Sequence, residues 1–354
     1  MVYLKLIYLN LKKLEVYKLI KNFFKYHPIH KKIAIYFDIL FIFRPIMFFA
    51  IWLMIVIGMY IGSIEVKNYP QWIYTFDLKT LIFFLGISMI AGASLIKNQI
   101  DDFDIDNFNK KIYILNNSYI KNISSKCYKI SIVIGFFLLA LTNIYNLIIG
   151  VLIFLFWDLI YNHEKFGWKK RPVLGPLCNL IVGFLFILSG WIYIYANESY
   201  FFISKSIIQS NFFISIVPYL LSYLSVVLLT DIPDIEGDKK YNKITFVIKY
   251  SKFVTVLISL LLVILAFFIG FYLSDPLATT STICSIPFFI YALIRHQKKD
   301  VLRAIRYPIF ILNFFTLTIY PILFIVCGIV FYLSKYYYWH RFELHYPTFL
   351  VEND

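Results

Sequence analysis

Two stretches of this 354-residue sequence gather carboxylates at regular spacing. The first reads NQIDDFDIDNFNKK from Asn98 to Lys111, and the second reads DIPDIEGDKK from Asp231 to Lys240. Asn98, Asp102 and Asp106 recur every four residues, which on a helix keeps an amide and two carboxylates on one side, about 6 Å apart along the axis. Asp104 turns to the opposite face. In the second stretch Asp234 and Asp238 repeat the interval, with Asp231 three residues earlier. Pro233 suits the first turn of a helix or a turn just before one, and Gly237 permits a close approach. Carboxylates arrayed like this repel one another unless a cation sits among them, and hard oxygen ligands suit Mg2+, which bridges protein carboxylates and substrate phosphates. Lys110 and Lys111 follow the first array, and Lys239, Lys240 and Lys243 accompany the second. The pattern reads as a two-cation diphosphate clamp. Either stretch alone also reads as a solvated loop. A calcium loop starting at Asp102 fails, because its sixth position is Asn107 where glycine is needed and its twelfth is Tyr113 where glutamate is needed.

Such arrays need rigid elements to aim them, and the composition says which kind. The chain is 60% hydrophobic and 15% charged, with a mean hydropathy of +0.74, against roughly 25% charge in a soluble domain. A membrane span takes about 20 mostly apolar residues. Runs of this kind lie near Phe43–Ile64, Leu78–Lys97, Ile130–Asn143, Asn146–Tyr161, Val173–Tyr195, Phe212–Leu229, Phe253–Leu273, Thr280–Ile294 and Ile309–Leu333. The expected fold is all-α, an integral membrane bundle of about nine transmembrane helices occupying residues 37–335. Residues 1–36 form a basic cytosolic segment in which Leu4, Ile7, Leu11 and Leu14 sit at helical spacing, so that it can lie on the membrane surface. Its lysines interrupt every apolar stretch, unlike a signal peptide. Residues 336–354 form a tail.

The net charge of +14 raises the question of nucleic acid or anionic lipid, and its distribution answers it. With nine spans, 29 of the 34 Lys and Arg residues fall on the side of the amino terminus, and Lys67, Lys79, Lys205, Lys335 and Arg341 fall on the other. Cytosolic loops carry such an excess, so the amino terminus and both acidic stretches are expected in the cytosol. Topology thereby accounts for the charge, and no nucleic-acid partner is expected. Cys127, Cys178, Cys284 and Cys327 lack CxxC spacing and the six histidines lack HExxH spacing, so neither a zinc site nor a disulfide framework is expected. The 20% aromatic content is not read as a binding box, since Tyr, Phe, Ile, Asn and Lys abound together and share A/T-rich codons.

The two stretches resemble the signatures of the UbiA superfamily of membrane prenyltransferases. Asn98, Asp102 and Asp106 match its NxxxDxxxD motif, and DIPDIEGD from Asp231 to Asp238 matches its second, DxxxD with an upstream Asp and a following GD. Asn109 and Lys110, Thr245, and Arg44 with Pro45 also resemble family positions, as do Asn179, Gly190 and Trp191 in the fifth span. Tyr161 followed by FGWKKRP looks like a degenerate form of the family's loop after span four. The resemblance runs from about Phe43 to Leu333. The sequence departs from the pattern at Ile114 and Leu115, where many members have Arg-Pro, at Asn242, where a Gly is frequent, and in lacking consecutive prolines after Tyr161.

The resemblance implies a Mg2+-dependent enzyme that transfers a prenyl group from a polyprenyl diphosphate to a hydrophobic or aromatic acceptor, with lipid-facing grooves for the isoprenoid tail. It implies Asp102, Asp106, Asp234 and Asp238 as metal ligands, directly or through water, and Asn98 as the residue orienting the first motif. Lys110, Lys111, Lys239 and Lys240 would contact the diphosphate, and Asp231 and Tyr161 would also line the substrate site. The main alternative is an ion-coupled transporter, whose carboxylates should lie near the bilayer midplane. Here only Asp158 lies deeper than the span ends. A CDP-alcohol phosphotransferase would need a DGxxAR core that is missing.

Overall fold

The computed structural model describes residues 15–16, 18–67, 77–109, 114–198 and 211–348, and these are helical with no strand among them. Nine helices among the described residues are long and apolar enough to cross a membrane: Asp38–Glu65, Leu78–Asp101, Ser118–Thr142, Ile144–Asn162, Leu174–Ala196, Phe212–Lys240, Lys252–Tyr272, Pro276–Arg295 and Pro321–Phe342. They are called spans one to nine below. Side chains such as Val133, Phe137, Phe268 and Phe271 stay exposed on the outer faces of spans three and seven. This suits lipid, where apolar surface needs no burial and the helix satisfies its own backbone polar groups.

Small residues bring helices together where no hydrophobic force drives them. Span one crosses span five at two facing glycines. A Cβ on Gly58 would stand 1.8 Å from the Ile187 carbonyl oxygen, and one on Gly190 would stand 1.9 Å from that of Ile55. The backbones touch there, and Ile55, Ile57, Ile187 and Trp191 fill the core on either side. A second core joins spans six, seven and eight through Leu229, Val256, Val263 and Phe289.

The last expected span differs. Ile309–Leu333 is not one helix: a helix Lys298–Thr316 ends, residues 317–320 turn, and span nine starts at Pro321. The first half of Lys298–Thr316 carries Lys298, Lys299, Asp300, Arg303 and Arg306, so it lacks the composition of a span. It nevertheless packs along span eight and carries the chain from one end of the bundle to the other. It begins where Asp300 meets Arg295 at the end of span eight. After it, Tyr320 stacks on Phe84, near the start of span two. Span nine therefore returns to the aspartate-bearing end, where Tyr337 donates to Asp38 at 2.7 Å, Arg341 pairs with the same carboxylate at 3.0 Å, and Tyr337 stacks on Phe41. This corrects the expectation for Lys335 and Arg341, which belong to the half of the molecule that holds the amino-terminal segment. The physical reason is Pro321: it cannot continue a preceding helix but suits the first turn of a new one. Span nine also stays helical to Phe342, through residues expected in a tail. Leu4, Ile7, Leu11 and Leu14 lie outside the described residues.

Candidate active site

Both acidic stretches emerge at the same end of the bundle. Span two hands over to a short helix, Phe103–Phe108, with a bend at Asp102, yet the four-residue ladder persists. The Asp102 amide donates to the Asn98 carbonyl at 2.9 Å and the Asp106 amide to the Asp102 carbonyl at 2.8 Å. Asp102 is buried, Asn98 and Asp106 are half-buried, and Asp104 is exposed. The second stretch folds as a 3-10 turn, Ile232–Asp234, with Pro233 in its first turn, followed by a helix Ile235–Lys240. Asp231 and Asp234 are half-buried and Asp238 is wholly buried.

The two arms are tied to each other. The Gly237 amide donates to Asn109 Oδ1 at 3.2 Å, and a Cβ at position 237 would come within 2.7 Å of three atoms of that Asn side chain. Lys240 Nζ stands 4.0 Å from the centre of the Phe108 ring, a cation–π contact across the same seam. Asn242, at the frequent glycine position, has a φ of 53°. Asn is among the non-glycine residues that tolerate this left-handed conformation best, so the departure keeps the backbone turn.

Cations from three other parts of the chain meet the carboxylates. Lys169 Nζ lies 2.7 Å from Asp102 Oδ1, with both side chains buried. Lys243 Nζ lies 3.3 Å from Asp238 Oδ1 and 3.9 Å from Asp102 Oδ2, so one ammonium spans both arms. Arg44 Nη2 lies 3.2 Å from Asp106 Oδ2. Burial opposes the charge on Lys243, but Asp102, Tyr161, Asp238 and Asp231 outweigh it and hold the ammonium's pKa well above its ordinary value. Lys169 reaches inward from a 3-10 turn, Trp168–Lys170, entered through Gly167 at a φ of 53°. That turn follows a π-helical stretch, Leu155–Asn162, ending span four, a distortion frequent at functional sites. The π-helix carries Tyr161 to a pocket it shares with Lys169, Arg171, Asn179, Asp231 and Thr245.

Among the lysines expected at the diphosphate, Lys239 is exposed, Lys240 stands on Phe108, and Lys110 and Lys111 lie outside the described residues. Lys169 and Arg44, which reach the carboxylates, were visible in the sequence only as part of a basic loop and of an Arg-Pro pair. Asp158 accepts from Tyr128 at 2.7 Å on the far side of the π-helix.

The donor set fits Mg2+ in chemistry. Both oxygens of Asp238 are buried and, apart from the Lys243 ammonium 3.3 Å from Oδ1, have no hydrogen-bond partner, as suits a carboxylate kept for a cation. No three His, Cys, Asp or Glu side chains among the described residues converge closely enough to hold one ion by themselves. Mg2+ is commonly held by one or two carboxylates and completed by substrate phosphates, so two arms that each bring a few carboxylates suit ions completed by a diphosphate.

The model of the UbiA prenyltransferase family matches residues 51–315, which include every carboxylate of the two motifs. The chain belongs to the UbiA prenyltransferase family. It is thus a multi-span membrane enzyme of that family. It is 30% identical over 179 residues to a digeranylgeranylglyceryl phosphate synthase of Methanocaldococcus jannaschii, covering 49% of this chain and 56% of that protein, so the match spans little more than half of the relative's length. A solved digeranylgeranylglyceryl phosphate synthase superposes with a TM-score of 0.52 at 25% identity, covering 83% of this chain and 98% of that one. A UbiA homologue from Archaeoglobus fulgidus bound to GPP and Mg2+ superposes with a TM-score of 0.50 at 13% identity, covering 78% and 99%, and shares the UbiA fold.

Proposed function

We propose that this UbiA-family protein transfers a prenyl group from a polyprenyl diphosphate to a lipophilic acceptor, with Mg2+ on the two aspartate arms at the cytosolic end of the bundle. The observation that carries this reading is the convergence of buried Asp102 and Asp238, from stretches more than a hundred residues apart, on one ammonium group. A transporter's carboxylates are expected near the bilayer midplane, whereas these close on each other at one end of the bundle. Bound Mg2+ would neutralise the diphosphate as it leaves the allylic carbon. Asp102, Asp106, Asp234 and Asp238 would hold it, while Lys169, Lys243 and Arg44 would supply positive charge around the leaving group. Breaking the allylic C–O bond leaves a carbocation that the acceptor's oxygen or carbon attacks. The displaced proton departs from the acceptor, and the apolar bundle keeps water from the cation.

The relatives support a phosphate-bearing glycerol lipid, in place of an aromatic ring, as acceptor. Its hydroxyl would form the new ether bond, and Lys169 and Arg171, which line one pocket with Tyr161 and Asn179, would offer positive charge to its phosphate. The test uses membranes containing the full chain, radiolabelled geranylgeranyl diphosphate, and either a glycerol phosphate lipid or aromatic acids as acceptor. Labelled ether lipid should form with Mg2+, vanish with EDTA and return with Mg2+ or Mn2+. Turnover that survives thorough chelation would remove the mechanism. Label on the aromatic acids alone would replace the acceptor.

A further inference from the structure

We propose that Lys243 is an internal counter-cation between the aspartate arms, standing where a divalent ion would bridge them, so that the ion enters only together with a diphosphate. The inference rests on the function proposed above and concerns the order in which its site is filled.

Three observations carry it. Lys243 lies between the arms, 3.3 Å from Asp238 and 3.9 Å from Asp102, so it touches a motif carboxylate of each. Asp102 and Asp238 are almost fully buried and face two ammonium groups, Lys243 and Lys169, also largely buried. The charges of these four groups balance, with Asp231 and Asp234 adding negative charge nearby. A dication seated between Asp102 and Asp238 would still meet the Lys243 ammonium already there, in a poorly solvated place. Among the described residues, too few carboxylates also converge to complete a coordination shell. A diphosphate removes both obstacles. It supplies oxygen ligands to the ion, and it gives the ammonium groups an anion to turn toward as they leave the carboxylates.

Lysine suits such an exchange better than arginine, because its single charge on a flexible stem commits to no bidentate geometry. The local backbone assists: Asn242 in its left-handed conformation ends the helix Ile235–Lys240, and the Lys243 amide donates to the Asp238 carbonyl at 2.9 Å. Lys243 is thus fixed at its root, while its flexible stem lets the ammonium exchange one anion for another. The arrangement makes metal and diphosphate affinities reciprocal, each raising the other by the same factor.

The test is equilibrium dialysis of Mn2+ against the detergent-solubilised full chain, with and without inorganic pyrophosphate, scoring metal and pyrophosphate retained with the protein. Wild type should retain little Mn2+ alone and bind it about tenfold or more tightly when pyrophosphate is present. Lys243→Met should bind Mn2+ alone more tightly than wild type and lose most of the dependence on pyrophosphate, whereas Lys243→Arg should keep that dependence. Lys243→Gln serves if the Met variant fails to give a cooperative thermal transition. Wild type that retains Mn2+ equally with and without pyrophosphate overturns the inference, as do folded Met and Gln variants that bind metal alone no better than wild type. In both cases the prenyl-diphosphate reading survives. Folded wild type that retains neither metal nor pyrophosphate in any combination overturns both.

Discussion

At the scale of single residues, the two kinds of aspartate are separated by burial. Asp102 and Asp238 are buried against cations, whereas Asp104 is exposed two residues from Asp102. Asn keeps size and most hydrogen bonding while removing the charge, so Asp102→Asn and Asp238→Asn should lower turnover by roughly 100-fold or more. Asp104→Asn should leave it within about twofold, as expected for a solvated position. Steady-state prenyl transfer, measured beside the thermal midpoint of each variant, checks this. Equal damage at Asp104 would end the one-face reading of the motif. This part of the site was legible because a four-residue interval on a helix is a geometric statement that sequence alone makes. Lys169 was not, because the four basic residues Lys165, Lys169, Lys170 and Arg171 look alike in sequence, and only the 3-10 turn after Gly167 decides which points inward. Asn242 belongs to this scale too. Its φ of 53° means that Asn242→Ala should cost ~1 kcal/mol of stability while Asn242→Gly should be close to neutral, read as shifts in the thermal midpoint.

At the scale of elements, the fold depends on where helices are allowed to touch. A Cβ on Gly190 meets the Ile55 carbonyl oxygen at 1.9 Å, and a backbone atom cannot swing aside as a side chain can. Gly190→Ala should therefore push spans one and five apart and cost about 3 kcal/mol or more. Loss of monodisperse protein or a large fall in thermal midpoint would show it. Gly328 supplies the control, since a Cβ there meets nothing within 4 Å. Gly328→Ala, in mid-span nine, should be neutral or mildly stabilising through helix propensity. Gly237→Ala tests a different contact. The new methyl displaces Asn109, so the arms should part and turnover should fall while the bundle melts near its usual temperature. Gly190 drew notice in the sequence only through its Gly-Trp pair. Its partner Gly58 drew none, because a close crossing needs two glycines from helices far apart in sequence and no local pattern pairs them. The π-helix at Leu155–Asn162 was equally hidden, since its residues read as an ordinary end of a span.

At the scale of the whole molecule, hydropathy revealed nine apolar runs, and that number survives among the described residues. The parity of the last crossing did not, because a window that averages apolar content joins the second half of Lys298–Thr316 to the first half of span nine across a turn. The charged first half of that helix then passes for a loop. The consequence is testable. A nine-crossing chain puts residues after span nine on the opposite side from Asn242, whereas the Asp38–Arg341 pair and the Phe41–Tyr337 stack put them on the same side. The move also sharpens the charge asymmetry expected from the sequence, since it takes Lys335 and Arg341 off the far side. Because cytosolic loops hold the excess, Asn242→Cys and Glu343→Cys should both resist a membrane-impermeant maleimide in intact cells and react once the membrane is opened. Ser274→Cys, in the turn between spans seven and eight, should react in intact cells beyond the background of the native cysteines. Reaction of Glu343→Cys together with Ser274→Cys in intact cells would restore the nine-crossing topology. It would also contradict the ion pair that closes span nine onto the start of span one, so the measurement decides the path of the chain and the packing of its last helix at once.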